Sequence, residues 1–163
     1  MKMILPDSEI CGGCRTCEAV CSWSHSAGVF NPRAARISVI KDEAKGVYFP
    51  FPCLQCREAY CYKACPVGAI SVDEETGAKI INPKVCIGCR MCAIVCPFGG
   101  PVYDENTGKM TKCDLCMEKG EPQCVKWCPK GALKYVEVGE VAFDKKSKAA
   151  HRVMTALSEE GVK

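Results

Sequence analysis

Residues 86–97 read Cys86-Ile-Gly-Cys89-Arg-Met-Cys92-Ala-Ile-Val-Cys96-Pro97. Thiolates this close together can wrap several corners of one polynuclear metal centre. The spacing C-x2-C-x2-C-x3-C-P is that of a [4Fe–4S] cubane whose fourth cysteine ligates a different cluster. Gly88, lacking a Cβ, is expected to let the backbone approach the inorganic sulfur. The x3 step puts Cys92 and Cys96 one helical turn apart on a common face, so Cys96 points past the first cluster toward a neighbour. Pro97 then ends the turn and offers no N–H.

A run of this kind implies a mate, and the chain supplies three. All 16 cysteines fall into quartets with none left over. The first is Cys11, Cys14, Cys17 and Cys21, spaced like the central run but followed by Ser22 instead of Pro. The second is Cys53, Cys56, Cys61 and Cys65, followed by Pro66; the third is the opening stretch. The fourth is Cys113, Cys116, Cys124 and Cys128, followed by Pro129. One CxxC is a weak signal, but complete quartets that all close on the same x3 step are a strong one. A tetrahedral zinc ion is the competing reading, since it also takes four thiolates from paired knuckles. Three cysteines crowded into seven residues, twice over, suit a cubane better.

The elements that position these thiols are short. After the second quartet come Gly68–Val72, a turn from Asp73 to Gly77, and Ala78–Ile81. After the third come Pro101–Tyr103, a turn from Asp104 to Gly108, and Lys109–Thr111. A looser copy runs Arg36–Ile40, Asp42–Gly46 and Val47–Phe49. Each copy predicts a β-hairpin around a turn that starts with Asp and ends with Gly. Gly131–Val136 after the fourth quartet predicts one more strand. Cysteine loop, short helix and hairpin, repeated, give an α+β fold. From Lys145 to Leu157, Ala150, Val153, Met154 and Leu157 share a helical face, which predicts a C-terminal helix that closes the core or docks on another subunit.

Composition supports metal as the organiser. Leu, Ile, Val and Phe total 34 of 163 residues, about 21%, close to the level at which a chain cannot bury a core. The first residues lack the apolar region of a secretory signal, and nothing approaches a membrane span. A reducing cytoplasm is therefore expected, where such cysteines read as metal sites and not disulfides. Each cluster with its four thiolates carries roughly −2, so the formal charge of +3 turns negative on loading, and nucleic-acid binding is not expected. There is no Gly-rich phosphate loop, no nucleophile–base pair and no spare cysteine, so the chain is expected to be non-catalytic.

These quartets and intervals resemble the four-cluster, ferredoxin-like iron–sulfur subunits of molybdo- and tungstopterin oxidoreductases, among them those of the dimethyl sulfoxide reductase group. The stretch from Cys11 to His25, followed by Val29-Phe30-Asn31-Pro32, looks closer to small electron-transfer subunits of tungsten aldehyde oxidoreductase-type complexes, which include class II benzoyl-coenzyme A reductase. The resemblance implies four [4Fe–4S] clusters with crossed ligation. Cys11, Cys14 and Cys17 would be completed by Cys128, and Cys113, Cys116 and Cys124 by Cys21. Cys53, Cys56 and Cys61 would be completed by Cys96, and Cys86, Cys89 and Cys92 by Cys65. It further implies one two-cluster ferredoxin unit inserted into another: residues 1–46 and 98–140 form the outer unit, 47–97 the inner unit, and 141–163 a helical extension. The expected function is electron relay between a tungsten- or molybdenum-pterin catalytic subunit and a redox partner such as a ferredoxin or flavoprotein. A free-standing polyferredoxin is the alternative. The departures are Ser22, and the absence of Gly from Cys53-Leu-Gln-Cys56 and Cys113-Asp-Leu-Cys116.

Single residues receive modest roles. His25 is read as a hydrogen-bonding residue and not a ligand. Trp23 and Trp127 are expected to shield clusters, Tyr48, Tyr60 and Tyr62 to pack, and Arg15, Arg57 and Arg90 to offset cluster charge.

Overall fold

The computed structural model describes residues 1–139 except 27 and 29, together with 141, 142, 146 and 150. The helix expected over 145–157 lies outside the described residues, isolated positions apart. In chain order the elements are β1 (Lys2–Pro6), α1 (Thr16–His25), β2 (Ile37–Asp42), β3 (Val47–Pro52), α2 (Tyr60–Lys63) and β4 (Ile70–Val72). Then follow β5 (Lys79–Ile81), α3 (Met91–Ile94), β6 (Val102–Asp104), β7 (Lys109–Thr111), α4 (Gln123–Lys126) and β8 (Leu133–Glu137). No helix among the described residues is long and apolar enough to cross a membrane.

Every sheet is a two-stranded antiparallel ribbon: β2 with β3, β4 with β5, β6 with β7, and β1 with β8. The hairpin turns follow from their side chains. Asp73 accepts hydrogen bonds from the Thr76 amide at 2.7 Å and the Thr76 hydroxyl at 2.6 Å, and Gly77 leaves the turn at φ +73. Asp104, Thr107 and Gly108 build the second copy in the same way. The strand not foreseen in the sequence is β1. It pairs with β8 from Lys2↔Glu137 to Pro6↔Leu133 and buries Ile4 in the core. The first residues of the chain thus supply the missing half of the last hairpin.

The helices are single turns except α1, and Ser22 is the reason. In the other quartets the last cysteine is followed by proline, which ends the turn. Ser22 lets α1 run on to His25 and is itself completely buried. Its hydroxyl donates to the Ala19 carbonyl at 3.0 Å and accepts from the Asn31 amide at 3.2 Å, tying the helix to the loop that leads into β2. Ser22→Pro, which copies the other quartets, is therefore expected to destabilise the fold by about 3 kcal/mol. A thermal midpoint equal to that of the wild type would contradict this account.

Two small cores result. One gathers Ile4, Ile37, Val39, Leu115 and Leu133 with Cys17, Cys21 and Cys124; the other gathers Ile70 and Met110 with Ala59, Ala69, Cys61, Cys86 and Cys92. Helix α1 packs on α4, and α2 on α3. Elements from the two ends of the chain therefore pack on each other, as does the central pair. The 46/47 junction falls in the turn between β2 and β3, so that hairpin spans the limit drawn between the outer and inner units.

Candidate metal centres

Four cavities are lined by four cysteines each. The first holds Cys11, Cys14, Cys17 and Cys128, and the second Cys21, Cys113, Cys116 and Cys124. The third holds Cys53, Cys56, Cys61 and Cys96, and the fourth Cys65, Cys86, Cys89 and Cys92. In each, three cysteines come from one quartet and the remaining one closes a different quartet. Three of the cavities are small, and the Cys53 cavity is wider.

The backbone aims amides at the thiols. In Cys65-Pro-Val-Gly68-Ala69, Gly68 at φ +60 reverses the backbone, and the Ala69 amide donates to Cys65 Sγ at 3.2 Å. The Gly100 amide reaches Cys96 Sγ at 3.3 Å and the Ala132 amide reaches Cys128 Sγ at 3.2 Å through the same turn. At the first quartet, where Ser22 continues the helix, the donor is the Arg36 amide, 3.2 Å from Cys21 Sγ. Amides placed in this way fit sulfur that carries negative charge, and such bonds tune the potential of a bound cluster.

The first CxxC loop of each quartet also carries a left-handed residue at the same place. Gly13 and Gly88 take it at φ +66 and +71, Gln55 and Leu115 at φ +49 and +59. Gly88 meets a further demand: its amide lies 3.5 Å from Cys86 Sγ, and a Cβ there would lie 2.2 Å from the Gly108 carbonyl oxygen in the β6–β7 turn. Gln55 and Leu115 accept the strained backbone and fill the interior, each being about 1% exposed.

Electrostatics point the same way. Burial pushes the Cys17 and Cys113 thiols up to about 12 and the Cys92 thiol up to about 11, and raises Cys124 further still. A bare thiolate is disfavoured here unless a cation compensates it, which is what a metal centre supplies. Negative charge on one sulfur is also felt across cavities: Cys17 acts on Cys124, Cys53 on Cys113, and Cys61 on Cys92. Neighbouring sites therefore lie close enough for charge on one to act on the next.

Around the second cavity, His25 bridges. Its Nδ1 lies 2.8 Å from the Cys21 carbonyl oxygen and its Nε2 3.3 Å from Asp114 Oδ1, while Arg36 Nη1 pairs with Asp114 Oδ2 at 2.5 Å. Burial opposes the imidazolium, but its hydrogen bonds to Asp114, Cys116 and Cys21 outweigh this and raise its pKa. Burial likewise opposes the Asp114 carboxylate, but His25 and the Arg36 guanidinium hold it well below the usual carboxylate range. The residue is a hydrogen-bonding one, as expected.

Other expectations shift. Arg15 pairs with Glu18 at 3.7 Å, and Arg90 stacks on Tyr103 at 3.9 Å. Arg15 lines the first cavity and Arg57 the third, both exposed, whereas Arg90 lines none of the four. Trp23 stacks on Phe30 and is half-exposed, and Trp127 is 59% exposed, so neither is sealed against a cavity. The cations that do reach the interior are Lys79 and Lys112, which line the third cavity together with Gln55. Their identity as ordinary hairpin lysines gave no signal in the sequence.

Residues 44–138 match the family described as the 4Fe-4S dicluster domain. Over 126 residues the chain is 42% identical to the polyferredoxin-like subunit of the aliphatic sulfonate oxidoreductase of Pyrococcus furiosus, covering 77% of this chain and 69% of that one. It is 33% identical over 153 residues to a subunit of the anaerobic dimethyl sulfoxide reductase of Haemophilus influenzae, covering 83% and 73% respectively. Among solved structures, a chain of the BamBC active-site complex of benzoyl coenzyme A reductase in complex with zinc superposes with a TM-score of 0.51 at 27% identity, covering 98% of each chain.

Proposed function

This protein belongs to the 4Fe-4S dicluster family of iron–sulfur proteins, and on that premise we propose that it is an electron-transfer subunit holding four [4Fe–4S] clusters. It relays electrons between a tungsten- or molybdenum-pterin catalytic subunit and a further redox partner, and it performs no chemistry of its own on a substrate. The observation that carries this reading is the set of four cavities, each lined by four thiols. Each bound cluster supplies one-electron exchange.

The residues do the rest. Cys53, Cys56, Cys61 and Cys96 hold one cluster, and Cys86, Cys89, Cys92 and Cys65 its neighbour. Cys11, Cys14, Cys17 and Cys128 hold the third, and Cys113, Cys116, Cys124 and Cys21 the fourth. The packing of α1 on α4 and of α2 on α3 supports a nested pair of two-cluster units, 1–46 with 98–140 around 47–97. The closeness of neighbouring cavities supports a relay, because charge at one set of thiols is felt at the next. The names of the relatives, which are subunits of larger oxidoreductases, favour a fixed partner over a free-standing shuttle.

Anaerobic purification from the native host is expected to give a brown complex in which the chain accompanies a large subunit carrying tungsten or molybdenum. Absorption near about 400 nm and four irons with four acid-labile sulfides per cavity are expected from the cluster chemistry. A lone species near 17.7 kDa would sink the subunit reading. Colourless protein with zinc and no iron would sink the cluster reading.

A further inference from the structure

Lys79 and Lys112 are 5% and 3% exposed, and neither forms an ion pair with a carboxylate among the described residues. Lys112 Nζ donates to Gln55 Oε1 at 3.1 Å, to the Cys113 carbonyl at 3.1 Å, and to the Lys79 carbonyl. Lys79 Nζ donates to the Gly77 carbonyl at 2.9 Å and lies 3.4 Å from the Gln55 carbonyl. Gln55 holds the arrangement: its Oε1 also accepts from the Lys79 amide at 2.9 Å, and its Nε2 donates to the Cys113 carbonyl at 2.7 Å. All these acceptors are neutral. A buried ammonium is costly unless a negative charge compensates it. The opposing charges within reach are sulfurs: Cys56, Cys53 and Cys61 act on Lys79, and Lys112 acts on Cys61 and Cys113.

Building on the function proposed for these cavities, we propose that Lys79 and Lys112 are the fixed counter-charge of the site formed by Cys53, Cys56, Cys61 and Cys96, and that they make it the most readily reduced of the four. A [4Fe–4S] cluster held there would take up one electron from the reductant, its core passing from 2+ to 1+. The added negative charge sits beside two cations in a poorly screened interior, so the reduced state gains more from them than the oxidised state. Among the described residues, no other site is lined by two buried lysines. Arg36 and His25 at the Cys113 site share Asp114; Arg15 and Lys130 line the Cys11 site but are exposed, and Arg15 pairs with Glu18; Lys109, which donates to the Cys86 carbonyl at 2.6 Å, is only half-buried.

The test is a dithionite titration of the fully loaded chain followed by electron paramagnetic resonance, with the signal of this site identified by its change in Cys53→Ser. In Lys79→Met and in Lys112→Met, the reduction equilibrium of this site is expected to fall at least tenfold, 59 mV for a one-electron couple, with smaller shifts elsewhere. Lys112→Arg, which keeps the charge, is expected to hold the wild-type value to within threefold. A shift below twofold in both methionine variants, or equal shifts at all sites, would overturn the proposal. Should those variants lose iron, the wild type decides: this signal must emerge first in the titration, and its emergence after any other overturns the proposal. Iron content separates the two readings. Full iron with an unmoved potential overturns the lysine proposal alone, whereas a wild type lacking four irons at this site overturns the cluster reading as well.

Discussion

Cys96→Ala is expected to damage the cluster of the second quartet and to spare the cluster of the quartet in which Cys96 is found. The reason is geometric. Helix α3 is a single turn capped by Arg90 in the left-handed region, and it directs Cys92 into the small buried cavity with Cys86, Cys89 and Cys65. Cys96 leaves the far end of that turn and lines the cavity of Cys53, Cys56 and Cys61. Gly100 marks the meeting point: a Cβ at that residue would lie 3.2 Å from Cys53 Sγ and 3.8 Å from Cys96 Sγ. Negative charge on Cys96 is also among the causes that raise the Cys61 thiol, after burial and beside Cys53. Losing one thiolate of four costs more than losing an outer hydrogen bond, which alone is worth about 10- to 100-fold in metal affinity. The expected outcome is therefore a three-iron centre or complete loss at that site, up to about a quarter of the total iron. Paramagnetic resonance of the reduced protein checks it, with Cys56→Ser marking the second-quartet signal and Cys89→Ser the third. Selective loss of the Cys89 signal would show that each quartet binds its own cluster.

The cysteine pattern was legible because ligand spacing is a local property. Thiols separated by two or three residues can be assigned to a shared loop or helical turn without knowing the fold. The three internal hairpins were legible for a similar reason, since an Asp-to-Gly turn announces both strands at once. Strand β1 was not, because its partner β8 lies at the other end of the described residues and the pairing has no turn between. A second demand on Gly88 was hidden for a related reason: its crowding comes from Gly108, twenty residues on. Cations were the hardest to place. Arginines inside the cysteine motifs drew attention, yet they pair with Glu18, stack on Tyr103 or face solvent. The interior charges come from Lys79 and Lys112, whose burial depends on the insertion of Gln55 between two cavities. No one-dimensional pattern announces a contact made by three segments that meet only in the folded state.

Removing the iron is expected to unfold most of this protein, and the reason lies in how little else binds it together. The core around Ile70 and Met110 contains no other large aliphatic residue that is buried; its remaining members are alanines and cysteines. Helices α2, α3 and α4 are four residues each, far below the length at which a helix persists by itself. The hairpins β4–β5 and β6–β7 have three-residue strands and no third strand to pack against, which leaves them marginal in water. Emptying the cavities would also leave Lys79 and Lys112 buried without the charge that offsets them. The other core is better supplied: Ile4, Ile37, Val39, Leu115 and Leu133 come together there, and β2 pairs with β3 over six residues. Structure that survives chelation is therefore expected in the β2–β3 hairpin before anywhere else. Hydrogen exchange should find protection retained in the β2–β3 hairpin and lost across residues 60–111. Far-ultraviolet circular dichroism of the iron-free, fully reduced protein should show most helical signal gone. Reconstitution with iron and sulfide should restore it together with absorption near about 400 nm. An iron-free form that kept the spectrum of the loaded one and melted cooperatively would mean that side chains, and not inorganic clusters, fill the middle of this molecule.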